Sequence, residues 1–319
     1  MLRGILFSLL GLFVILNIIA AIQAYKLTHF DEDAKSLKKE SRLSLLEKIQ
    51  MGICGIDVPR PETEFHPRRE YQIIQIQVDE ERSLEACVLR TDSLKQGFVL
   101  LFHGYMEEKF SMLARGYKLM DMGYDVVLTD FMGAGGSYGN QTTIGYLEAE
   151  NVKSVDDYVL QNMQDENIYL YGFSMGAAAI TRAQSKYNMF VKGIVLEATY
   201  GTFHGTVTAR FDLLNLPHFP MSYLLVFWGG VMNGFNPMDA NPQEFAKDIT
   251  VPALVMCGLK DPYISREETQ RIFDNLGSHN KELKFFPEAT HQSYLRKYPK
   301  EWKSTVSSFL KSTVNQDMY

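Results

Sequence analysis

Tyr169-Leu170-Tyr171-Gly172-Phe173-Ser174-Met175-Gly176-Ala177-Ala178-Ala179 decides how this chain is read. The apolar run Ile168 to Tyr171 suits a strand, and it meets Gly-x-Ser-x-Gly before passing at once into alanines of high helix propensity. The stretch therefore reads as strand, sharp turn and helix. Small residues two before and two after the serine let strand and helix approach closely, and the turn thrusts the hydroxyl outward. By itself the pentapeptide arises by chance in about one chain of this length in ten. The rest of the sequence has to decide.

Outward from that turn, strands and helices alternate. Tyr71–Val78 and Leu84–Leu89 read as paired antiparallel strands joined by the turn Asp79–Arg82. Gly97–Phe102 is continuously apolar, as a strand buried on both faces would be. Phe110–Met122 follows as a helix, Tyr124–Thr129 as a strand and Leu147–Asn162 as a helix. Beyond the serine turn come a helix over Gly176–Lys186 and a strand over Val191–Leu196. Ala253–Cys257 and Leu283–Phe286 read as strands, and Arg266–Leu276 and Glu301–Leu310 as helices. Such alternation predicts an α/β fold: a mostly parallel, doubly wound sheet with helices on both faces. Tyr200 to about Lys247 interrupts it. That segment is too long for an ordinary connection and too apolar for a linker, so it reads as a small helical cap.

The 319 residues, 46% of them apolar, suffice for a large core. A net charge of -6 with dispersed Lys and Arg argues against a nucleic-acid surface. Cys54, Cys87 and Cys257 lack metal-ligand spacing and form no disulfide framework; they read as reduced, buried small hydrophobes.

Gly4–Ala24 holds 21 residues without a charge, enough to cross a hydrocarbon core as a helix. Its length exceeds that of a cleaved signal, so residues 1–30 are expected to be an uncleaved transmembrane anchor. Residues 31–69 read as a charged stalk and lead-in, with a helix over Ser36–Met51 that the prolines of Val58-Pro59-Arg60-Pro61 would stop. Residues 70–319 form the α/β domain, with the cap at about 200–247. Lys26, Lys35, Lys38, Lys39 and Arg42 after the span favour an inward domain by the positive-inside count. A signal-like N-terminal segment feeding a large domain favours the opposite, and an extracytoplasmic domain is the expectation.

A serine hydroxyl becomes a nucleophile only when a base takes its proton and a third group orients the base. Of seven histidines, only His103 and His291 fall at strand ends. His103, followed by Gly104-Tyr105, sits in a loop expected beside the serine turn, where backbone NH groups would hold an oxyanion; its role is to shape that loop. His291, in Pro287-Glu288-Ala289-Thr290-His291, lies at the carboxyl edge where sites of open α/β sheets gather, and it is the expected base. Asp261, in Cys257-Gly258-Leu259-Lys260-Asp261-Pro262, is the expected acid, with Glu197 as the other choice. Asp239 and Asp248 read as turn or capping residues.

These elements together resemble the α/β-hydrolase fold in its serine-hydrolase branch of esterases, lipases and related peptidases, over about Tyr71–Leu310. The likeness rests on His103-Gly104-Tyr105, on Asp130-Phe131-Met132-Gly133-Ala134-Gly135-Gly136-Ser137, on Gly172–Gly176, and on the Asp261 and His291 loops, in that order. The anchored N-terminus is similar to membrane-attached members described as serine aminopeptidase-like. The resemblance implies Ser174 as nucleophile, His291 as base, Asp261 as orienting acid, and the backbone NH groups of Tyr105 and Met175 as oxyanion hole, with no metal or organic cofactor required. One departure touches the packing of a loop: Met132 stands where the family usually has arginine. The apolar cap and the anchor point to an acyl or lipid-like ester as substrate. Peptidase and acyltransferase readings use the same residues, and a catalytically inactive, membrane-tethered binding protein is the alternative from another class.

Overall fold

Predominantly apolar runs that tolerate burial on both faces become the central strands. The strands are β1 (Gln72–Gln77), β2 (Ser83–Leu89), β3 (Gly97–Phe102), β4 (Tyr124–Thr129), β5 (Ile168–Phe173), β6 (Gly193–Glu197), β7 (Ala253–Gly258) and β8 (Lys281–Phe286). In the computed structural model, which describes residues 2–34, 44–63, 65–163, 165 and 167–314, they form one sheet. Its order is β1-β2-β4-β3-β5-β6-β7-β8. β1 and β2 run antiparallel at one edge, and β4, β3, β5, β6, β7 and β8 are parallel. β3, β4, β5, β6 and β7 are buried along their whole length.

Two apolar layers cover the sheet, because successive side chains of a strand point to opposite faces. Val99 and Leu101 of β3 join the layer that contains Leu119 of α3 (Leu113–Met120) and Trp302, Val306 and Phe309 of α11 (Pro299–Val314). Phe98, Leu100 and Phe102 join the opposite layer, with Val152 of α4 (Glu148–Tyr158), Ile180 of α5 (Met175–Tyr187) and Ile272 of α9 (Arg266–Asn275).

Several helices differ from the sequence reading. The helix expected from Phe110 begins as a 3-10 turn, Lys109–Met112, capped by the Glu108 side chain accepting from Phe110 N. The helix expected to run to Asn162 stops being α-helical at Tyr158 and ends in a π turn, Val159–Met163. A short helix, α10 (Tyr294–Lys297), precedes the closing helix and has no separate sequence signal. The helix expected over Ser36–Met51 is described only as α2 (Leu45–Cys54), opened by a Ser44–Glu47 capping box; residues 35–43 lie outside the described residues. Cys87 and Cys257 are buried and free as expected, whereas Cys54 is exposed, since it closes α2 away from the core.

The cap is helical. It comprises α6 (Phe203–Leu213), α7 (Met221–Asn233) and α8 (Pro242–Phe245), with 3-10 turns at Pro237–Asp239 and Ala246–Asp248. Asp239 accepts from the Asn236 amide at 3.1 Å in the first of these turns.

α1 (Leu2–Thr28) is the one helix among the described residues long and apolar enough to cross a membrane. It is exposed from Leu2 through Ile15 and then seats on the protein through Ala20, Ala24 and Thr28. Small residues at a spacing of four form one face of a helix, which allows this close approach. Gln23 donates to Met51 O and Gly52 O at 2.7 and 2.8 Å, so α2 abuts the end of α1. Beyond it, Phe30 N donates to Asn140 O, and Thr142 N to Thr28 O, tying the exit of α1 to the domain.

The loop carrying Met132, where the resemblance leads to an expectation of arginine, is held by other groups. Met132 is buried, and its NH donates to Asn151 Oδ1 at 3.1 Å. Cationic anchors come from elsewhere: Lys109 Nζ pairs with Asp130 at 2.7 Å and Glu85 at 2.9 Å. From the lead-in, Arg60 donates to the carbonyls of Gly135, Ser137 and Gly139 at 3.1, 2.7 and 2.7 Å.

Candidate active site

Ser174 stands alone between the end of β5 and the start of α5, with φ 52° and ψ -109°. For a side-chain-bearing residue this backbone costs on the order of 1–3 kcal/mol, so the surroundings must impose it. They do so by tight packing: a Cβ on Gly172 would lie 2.4 Å from Ala177 N, and one on Gly176 would lie 2.3 Å from Phe102 O. Ser174 N is also tied to Glu197 O of the neighbouring strand at 2.8 Å.

The two loops chosen from sequence converge on this turn. His291 follows β8, and Asp261 follows β7, the adjacent parallel strand. His291 Nε2 lies 3.0 Å from Ser174 Oγ, and His291 Nδ1 lies 2.7 Å from Asp261 Oδ2. A carboxylate only accepts, so Nδ1–H donates to Asp261 and leaves Nε2 to accept from the serine hydroxyl. The Asp261 side chain is fully buried, and its other oxygen accepts from the backbone NH groups of Tyr263 and Ile264 at 2.9 and 3.2 Å. Those bonds fix the carboxylate before it meets His291. The rings of Phe173 and Tyr263 both pack against the imidazole, each with its centroid 5.3 Å away.

Glu197, the alternative acid, is committed elsewhere. Its carboxylate takes a two-pronged contact from Arg115, at 2.8 Å to Nε and 2.7 Å to Nη2, and accepts from Tyr294 N at 2.9 Å. The Tyr171 hydroxyl also donates to it and in turn accepts from Trp302 Nε1 at 2.9 Å. Burial first, then the neighbouring Glu197 charge, push the Tyr171 phenol well up from its ordinary pKa. This buried network lies directly behind the serine turn, with the Arg115 guanidinium 4.8 Å from the centre of the Phe173 ring.

Met175 follows the serine, and the loop that carries Tyr105 lies against the same turn. Met175 opens α5, so its NH has no intrahelical acceptor and lies at the positive end of the helix. The loop after β3 presses on that end: a Cβ on Gly176 would be 2.8 Å from His103 O, and one on Gly104 would be 3.1 Å from the Phe173 ring. His103 shapes the loop as expected, since its Nε2 accepts from Phe131 N at 3.0 Å while Nδ1 donates to Gly104 O at 2.8 Å. Glu107 accepts from Gly104 N at 3.0 Å and braces it further.

Arg115, Arg60 and Lys109 were given no role from the sequence. A lone arginine or lysine in a helical stretch reads as a solvated group, and nothing local marks these as buried. Among the described residues no three His, Cys, Asp or Glu groups are placed to hold a metal ion together. The arrangement can move a proton from a serine hydroxyl to an oriented imidazole beside a helix N-terminus.

Comparison with known proteins places this fold. The chain superimposes on an esterase of Pyrococcus furiosus, Pf2001, with a TM-score of 0.65 and 24% identity over 80% of this chain and 95% of that one. It also superimposes on Est1E of Butyrivibrio proteoclasticus, solved with ferulic acid bound, with a TM-score of 0.58 and 17% identity over 76% and 99% of the two chains. In sequence it is 22% identical over 216 residues to the uncharacterized protein YqkD of Bacillus subtilis, spanning 66% of this chain and 70% of that protein. Residues 94–219 and 231–295 match the hydrolase family described as serine aminopeptidase, S33. The chain belongs to that family, a branch of the α/β hydrolases.

Proposed function

We propose that the protein is a serine hydrolase that cleaves a carboxylic ester with an acyl or lipid-like portion. The observation that carries this reading is the hydrogen-bonded succession Ser174–His291–Asp261 at a strained strand-to-helix turn. Ser174, deprotonated by His291, attacks the ester carbonyl. The oxyanion is received by the backbone NH groups of Tyr105 and Met175, and Asp261 stabilises the imidazolium that forms. His291 then protonates the leaving alcohol; water, activated by the same imidazole, releases the acyl group from Ser174. Residues 1–30 anchor the chain in a membrane, residues 31–69 lead in, and residues 70–319 carry the chemistry on the extracytoplasmic side.

Support for an ester comes from the esterase neighbours and from the apolar cap; a mostly apolar pocket binds hydrocarbon by removing it from water. A fluorophosphonate probe is expected to label wild-type protein at Ser174 and to leave Ser174→Ala unlabelled. Well-folded wild-type protein that resists the probe would favour an inactive binding protein instead. A panel of esters of increasing acyl length, run beside aminoacyl amides and with a competing alcohol acceptor, separates ester hydrolysis from peptidase and acyltransferase chemistry. Faster turnover of short polar or peptide substrates would overturn the lipid-like assignment. Protease accessibility of the domain in intact cells tests its side of the membrane.

A further inference from the structure

The cap exposes an unusual surface. From Leu213 through Met238 there is not one Asp, Glu, Lys or Arg, although Arg210, Asp212 and Asp239 stand at the two ends. The run is not hidden: Leu213, Leu214, Leu216, Phe219, Phe227 and Val231 are exposed, Phe219 by 73%. Scattered exposed apolar residues are ordinary, but this many from one uncharged run of the cap mark a surface with a partner.

What lies beside the patch identifies the partner. α7 packs along α1, the helix of bilayer-crossing length, and Trp228 Nε1 donates to Asn17 Oδ1 at 3.2 Å. At 1.5 Å per residue, Asn17 lies about 20 Å along α1 from Gly4 and about 10 Å from Ala24, inside a hydrocarbon core of about 30 Å. The Asn17 amide suits that depth, since its NH2 donates to Phe13 O at 2.9 Å and its oxygen takes the indole. Both polar ends of the amide are thus paired without water, as a lipid interior demands. Charge returns at the exit of α1, where Lys26 pairs with Asp57 at 2.8 Å.

We infer that the cap is itself a membrane element. α7 and the Leu213–Pro220 turn dip beside α1 into a lipid bilayer. This goes beyond anchoring by α1, and the surface claim does not depend on the chemistry of Ser174.

The two tryptophans of the chain make the inference testable in the full-length protein. Trp302 is fully buried in the core, so lipid-borne quenchers report on Trp228. In phosphatidylcholine vesicles brominated at mid-acyl carbons, tryptophan emission is expected to fall by about a third or more relative to unbrominated lipid, and Trp228→Phe should abolish the difference. Adding Phe219→Trp to Trp228→Phe is expected to restore quenching, strongest with bromine near the headgroup. Unquenched emission from position 228 overturns the inference, as does quenching at 228 with none at 219. A face covered by a second copy would give that last pattern together with a doubled mass in detergent. Hydrolysis of a water-soluble short-chain ester by the same vesicles reads the serine chemistry separately.

Discussion

The hydroxyl of Tyr105, in the loop that follows β3, donates to the carbonyl of Leu27 in the last turn of α1 at 2.7 Å. The Phe30 ring packs against the Tyr105 ring, with centroids 6.0 Å apart. A backbone loop proposed to stabilise an oxyanion is therefore fastened to the end of the helix proposed to sit in the membrane. The last four carbonyls of a helix lack intrahelical donors, so the tyrosine satisfies a group that would otherwise be orphaned.

Tyr105→Phe removes this fastening while keeping the ring and the backbone NH. Loss of a buried hydrogen bond with its acceptor left behind costs about 1–2 kcal/mol of stability. On the proposed mechanism, kcat for a soluble ester falls by about 3- to 10-fold with KM little changed, since the oxyanion forms only in the transition state. Steady-state kinetics with thermal unfolding checks both; an unchanged kcat would show that the loop holds its geometry without α1.

The strain at Ser174 separates stability from chemistry. Both Ser174→Ala and Ser174→Gly should lose activity by about five orders of magnitude or more. Only glycine adopts φ 52° and ψ -109° without steric penalty. Ser174→Gly is therefore expected to exceed Ser174→Ala in stability by about 1 kcal/mol, measured by urea denaturation. Equal stability would mean that the turn relaxes when the hydroxyl is removed.

Asp261 and Glu197 should respond oppositely to amide substitution. Asp261→Asn keeps the shape but presents His291 with the wrong hydrogen-bond partner, and it should lower kcat by about 10⁴ with a small effect on folding. Glu197→Gln leaves the Arg115 charge uncompensated in the core and should destabilise by about 3–5 kcal/mol. Its surviving folded fraction should keep the wild-type pH profile. Denaturation curves and pH–rate profiles of the two variants distinguish an orienting carboxylate from a scaffolding one.

Asp156 on α4 introduces a pH dependence of stability unrelated to catalysis. Burial pushes its carboxyl up to about 7, and its Oδ1 has no hydrogen-bond partner among the described residues. An unfolded aspartate titrates near 3.9, so between about pH 4 and 7 the folded state holds a proton that the unfolded state has released. Stability from this group is complete below about pH 4, declines as pH rises to 7 and is then flat. Asp156→Asn should match wild type near pH 3.5 and exceed it by on the order of 1–3 kcal/mol at pH 8. Urea titrations at the two pH values test this, and a variant advantage independent of pH would refute the assignment.

Much of the fold was legible because its signals are local. β3 stands where a continuous apolar run predicted it, and the Gly-Phe-Ser-Met-Gly turn falls between β5 and α5 because small residues and propensity act over a few positions. The order of Ser174, Asp261 and His291 along the chain was legible too, since parallel strands deliver their following loops to one edge of the sheet. Their spacing of 3.0 and 2.7 Å was not, because it depends on how β5, β7 and β8 are arranged side by side.

By itself, then, the sequence determined an alternating α/β chain with a strained serine turn, a cap and an apolar N-terminal helix. Tertiary structure alone decided the pairings between distant segments. Arg115 meets Glu197 beneath the serine turn, Arg60 and Lys109 brace the loop that carries Met132, and Trp228 meets Asn17. The reason is physical: a charged or polar side chain has no local periodicity to reveal its partner, and whether it is buried depends on which elements the sheet order brings together.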